Sequence, residues 1–72
     1  MSVQETKHSD ITKAKRGDII DGASQHYNGG KRFAGSITRV RGSVVFFTAR
    51  NGRSHQARDI SQFDSFEFIS YS

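Results

Sequence analysis

The sequence predicts an all-β fold: a small barrel of five short strands, with a 3₁₀ turn before the last. Three observations carry this. Short runs rich in β-branched and aromatic residues recur along the chain. Turn residues punctuate them at regular intervals from Lys15 onward. Asn51-Gly52 is the strongest short hairpin signal available, because a type I′ turn needs positive φ at both central positions. Closure into a barrel would also protect the strand edges, which this proline-free chain otherwise leaves bare.

Residues 1–14 show no clear period and are expected to form a flexible N-terminal arm, with a helical turn after Ser9 or Asp10. Residues 15–72 form the expected barrel. The first strand spans residues 16–20 and is entered by Gly17. Residues 22–30, rich in Gly, Ser, Asn and Gln, read as a loop. The second strand covers 33–39, followed by a tight turn at Arg41-Gly42. The third spans 43–50 and the fourth 53–58, joined by Asn51-Gly52. Residues 59–63 read as the 3₁₀ turn, with Asp59 as its cap. The fifth strand runs over 66–71.

The Asn51-Gly52 turn sets a register for the hairpin. Arg50 would face Arg53, Thr48 would face His55, and Phe46 would face Ala57; Phe47 would face Gln56 and Val45 Arg58. The polar partners Ser54, Gln56 and Arg58 place Val45 and Phe47 on the outside, leaving Val44, Phe46 and Ala57 for the core. A one-residue bulge would invert this assignment.

Seventy-two residues make one domain with a modest core. There is no cysteine, which excludes disulfides and thiolate metal sites and suits a reducing compartment. No apolar run has the length of a secretory signal or a membrane span, so a soluble, cytoplasmic protein with no membrane association is expected. Net charge is +4 and unevenly spread. Residues 31–58 hold Lys31, Arg32, Arg39, Arg41, Arg50, Arg53 and Arg58 without one acid, whereas residues 59–72 hold three acids and no base. Arginine dominates the basic block, and its planar fork suits phosphate and stacks on rings. A polyanion partner follows as the expectation.

The chain resembles the SH3-like small barrels, in particular KOW and Tudor-type domains. Arg16-Gly17-Asp18-Ile19-Ile20 is similar to their "GD-x-V" first strand. Residues 30–40, GKRFAGSITRV, resemble a basic loop followed by "G-x-V-x-x-V". Val44 to Phe47, Asn51-Gly52 and Ala57-Arg58-Asp59-Ile60 resemble the third strand, the hairpin and the 3₁₀ entry. The resemblance covers about residues 15–70 and implies binding, not catalysis. Tudor-type reading of methylated side chains needs several aromatics, and only Tyr27 and Phe33 stand near the place, with no Trp.

The leading expectation is a small nucleic-acid-binding protein, DNA or RNA, that grips the phosphate backbone. Lys31, Arg32, Arg39, Arg41, Arg50, Arg53 and Arg58 would meet phosphate; Tyr27 and Phe47 would stack on bases. The alternative is a protein–protein module docking on an acidic partner such as a polymerase or nuclease. An exposed Phe47 would serve there, or at a homodimer seam. His8, His26 and His55 are too scattered to suggest a metal site, and no cofactor is implied. No nucleophile–base pattern or phosphate-cradling loop is legible, so an enzyme is not expected.

Overall fold

A computed structural model of the chain describes residues 4–49, 52 and 54–71, with the backbone alone at 27 and 28. The fold is all-β. Six strands form one antiparallel sheet: β1 (Glu5–His8), β2 (Ile19–Ser24), β3 (Tyr27–Arg41), β4 (Val44–Ala49), β5 (His55–Asp59) and β6 (Ser65–Tyr71). Their order across the sheet is β1-β6-β2-β3-β4-β5, so β1 and β5 are edges and the sheet is open rather than closed. Among the described residues there are also two 3₁₀ turns, at Ile11–Lys13 and Ile60–Gln62.

The N-terminal arm is the first departure from the sequence reading. Glu5 to His8 pair with β6, from Glu5↔Tyr71 to His8↔Phe68. The His8 ring lies 5.6 Å from that of Phe68. The following turn is capped by Asp10, whose carboxylate accepts from the Thr12 amide and hydroxyl. Ile11 and Ala14 then pack on the core.

The expected loop at 22–30 is also largely strand. Gly22 sits where β6 crosses closely: a Cβ there would lie 2.5 Å from the Ser65 carbonyl oxygen. The residue that signals a loop in the sequence is therefore a close-approach residue inside β2. Beyond it the β2–β3 register jumps from Ala23↔Arg32 to Ser24↔Tyr27, and the intervening β3 residues form an irregular bulge.

Seven residues form the core: Ile20, Phe33, Ile37, Val45, Phe47, Phe63 and Phe68. The Phe33 ring stacks on Phe47 at 5.5 Å and meets Phe63 edge-on at 5.2 Å. Phe66 continues the chain of rings to Phe68. Gly35 lets β3 press onto this cluster, since a Cβ would come within 2.6 Å of both a Phe47 ring carbon and the Thr48 carbonyl oxygen. Two buried polar groups are satisfied locally. Asp18 accepts from the Lys15 amide and the Ser70 hydroxyl, and Ser24 donates to the Gln62 carbonyl.

The β4–β5 hairpin has the register read from the sequence, with Thr48↔His55, Phe47↔Gln56, Phe46↔Ala57 and Val45↔Arg58. The faces are inverted, however. Val45 and Phe47 point inward and are 0% and 1% exposed, while Phe46 takes the outer face. Phe47 as an outward stacker is thus corrected. The polar residues Gln56 and Arg58 share the inner face with Val45 and Phe47. They can do so because β5 is an edge strand, where long side chains lie along the margin of the core and bond each other there.

Candidate nucleic-acid interface

The outer face of the sheet is organised by a bulge in β3. Ile37 pairs with Phe47, but Arg39 pairs with Phe46, so one extra residue, Thr38, is inserted. Its hydroxyl donates to the Phe46 carbonyl, filling the gap in the ladder. Without the bulge, alternation would send Arg39 inward and Val40 outward. With it, Ile37 and Val40 both pack inward, and Arg39 and Arg41 both emerge on the outer face.

Two cross-strand rows result. One reads Arg39, Phe46, Ala57; the next reads Arg41, Val44, Asp59. The Arg39 guanidinium stands 5.9 Å from the centroid of the half-buried Phe46 ring, a cation–π arrangement. Among the described residues neither Arg39 nor Arg41 has an ion-pair partner. Asp59, the carboxylate of the second row, accepts from the Ser61 amide and the Ser43 hydroxyl. These bonds, the Ser61 amide first, hold it below the usual carboxylate range.

The other described members of the basic block do not converge there. Lys31 is exposed near the start of β3. Arg32 beside it forms a two-pronged ion pair with Asp21, at 2.8 and 3.0 Å. Hydrogen bonding to Asp21, with Asp21 and Glu67 as nearby negative charges, raises its pKa further. At about 3.3 Å per residue, Arg32 and Arg39 stand roughly 20 Å apart along the strand. Arg58 is half-buried on the inner face, its guanidinium donating to Gln56. Arg50, Arg53 and the side chain of Tyr27 lie outside the described residues. The described members of the basic block are contiguous in sequence but divided among three places in space.

Two features escape the sequence reading. One is Phe46 beneath Arg39. Its signal is the Ile37-x-x-Val40 spacing, which breaks the period of two and marks the bulge. The other is an open groove of about 560 Å³ on the same outer face, lined by Ile19, Ala34, Ile69 and Tyr71 together with Ser36, Thr48 and the carboxylate of Asp21. Tyr71 is the one large apolar side chain among the described residues that is well exposed, at 51%.

The three histidines fall in β1, the β2–β3 turn and β5, and no group of three potential ligands gathers among the described residues. No described helix is long and apolar enough to cross a membrane. Comparison with known proteins adds nothing to this geometry: no family model, no curated protein and no solved structure matches the chain.

Proposed function

We propose that the chain binds nucleic acid through the outer face of β3 and β4, with Arg39 and Arg41 on phosphates and Phe46 beside them. The observation that carries the reading is the bulge at Thr38. It shifts the alternation by one residue, so that Arg39 and Arg41, which would otherwise face inward, are both exposed, with Arg39 standing over an aromatic ring. Phosphate contacts of this kind position a ligand without reading its sequence. Arg32, committed to Asp21, contributes little. The sheet order, with a 3₁₀ turn leading directly into the last strand, supports a reading of the fold as an SH3-like barrel left open at one side.

The test is fluorescence anisotropy of short labelled DNA and RNA at several salt concentrations. The Arg39→Ala/Arg41→Ala double variant should bind every sequence more weakly. Its slope of log K against log salt should fall by about 1.4 to 1.8, the release of two phosphate contacts. Arg32→Ala should leave the slope near the parent value. Equal slopes for parent and double variant would remove the assignment.

A further inference from the structure

We infer that the preferred ligand is single-stranded nucleic acid, with a base lying in the groove beside Tyr71; this rests on the proposed function and narrows it. The groove and the arginine face are one continuous surface. Across the outer face, Ile69, Ile19, Ser36 and Thr48 form a single cross-strand row. Thr48 is also the next outward residue after Phe46 on β4. Same-face neighbours on a strand are about 6.6 Å apart, so the edge of the groove begins one step from the Arg39–Phe46 pair.

Chemistry selects the occupant. Ile19, Ala34 and Ile69 give the groove an apolar surface; the Asp21 carboxylate, which also lines it, is occupied by the Arg32 guanidinium. The border offers the hydroxyls of Ser36 and Thr48 and the exposed ring of Tyr71. An apolar slot with a few polar groups on its rim suits a planar heterocycle, and its volume is that of an ordinary ligand site. The exposed Arg39 and Arg41 one step away favour a heterocycle that carries an anion. Only an unpaired nucleotide presents a base face while its phosphate remains within reach of an arginine; in a duplex those faces are stacked away.

Three labelled probes of equal length test this: a single-stranded oligothymidine or oligouridine, the same backbone with abasic residues, and a duplex. The parent protein should bind the base-bearing single strand about ten-fold more tightly than the abasic strand, the effect of one stacked base. Tyr71→Ser should lose that ten-fold preference while keeping its affinity for the abasic strand and its salt slope. Tyr71→Phe should restore it, and thermal melting shows that both variants are folded. Equal binding of base-bearing and abasic strands by the parent, or tighter binding of duplex, overturns the inference while leaving the arginine face intact. Binding of no probe at low salt overturns the proposed function and this inference with it. Deoxy and ribo versions of the single strand assign the ligand to DNA or RNA.

Discussion

The two ends of β3 each carry a pair of basic residues, and Arg32 of the first pair finishes in an electrical condition opposite to that of the second pair. Near the start, Arg32, opposite Ala23, reaches diagonally to Asp21 and has Glu67 nearby, so its exposed charge is balanced by the sheet's own acids. Near the end, Arg39 and Arg41 face Phe46 and Val44, and among the described residues neither forms an ion pair; Asp59, one strand further on, is bonded to Ser43 and Ser61 instead. Both pairs look alike in the sequence. What separates them is the neighbouring strand: β2 brings an acid, while β4 brings apolar side chains. A run of like charge is therefore not a surface until its cross-strand partners are known.

The largest effect should come from destroying the frame that presents the second pair. Phe47→Ala removes a fully buried ring stacked on Phe33 and should cost about 3–5 kcal/mol in urea unfolding. That is comparable to the whole stability of a domain this small, so the variant should be largely unfolded. Phe46→Ala, one residue away on the other face, should cost only about 1 kcal/mol because its ring is half-buried. It should instead weaken nucleic-acid binding several-fold. The opposite ranking of the two variants in stability would mean that the hairpin faces are the other way round.

A smaller effect sharpens the electrical contrast. Asp21→Asn takes away the partner of Arg32 and makes the start of β3 resemble its end. If Arg32 then reaches a phosphate, the salt slope should steepen by about 0.7 to 0.9. An unchanged slope would show that the start of β3 lies off the path of the bound backbone.

The smallest effect is in acid. Asp59 is held below its ordinary range by the Ser61 amide and the Ser43 hydroxyl, and Asp10 by the Thr12 hydroxyl and amide. A carboxylate whose folded pKa lies below its unfolded one stabilises the fold above the unfolded value. That contribution disappears as pH falls through the folded value. The melting temperature should therefore decline slightly once the pH drops through the ordinary carboxylate range. Asp59→Asn should flatten that decline, while retaining a capping side chain. An identical acid profile for the variant would place the loss elsewhere.

Much of the fold was legible, for identifiable reasons. The Asn-Gly turn set the β4–β5 register correctly, and Asp59 was recognisable as the cap of the second 3₁₀ turn. The choice of face failed because polarity on an edge strand does not report direction. Gln56 and Arg58 extend along the margin of the core, so their polar ends are compatible with an inward position. β1 was illegible because Glu5-Thr6-Lys7-His8 has no apolar alternation; its hydrogen bonds to β6 and the His8–Phe68 contact hold it instead. Of the expected site, Arg39 and Arg41 emerge together, whereas Arg32, itself exposed, is engaged by Asp21 on the neighbouring strand, and Arg58 and Phe47 lie on the inner face.

β1 is short and mostly exposed, and it occupies the outer edge of β6. It acts as a cover over a row of amide and carbonyl groups that would otherwise template the addition of another strand. A chain shortened to begin at Ser9 should keep its core and unfold cooperatively. It should also associate through the uncovered β6 edge more readily than the full chain, as sedimentation over a range of concentrations would record. The four-residue strand that gives no residue to the buried core would then be what keeps neighbouring molecules apart.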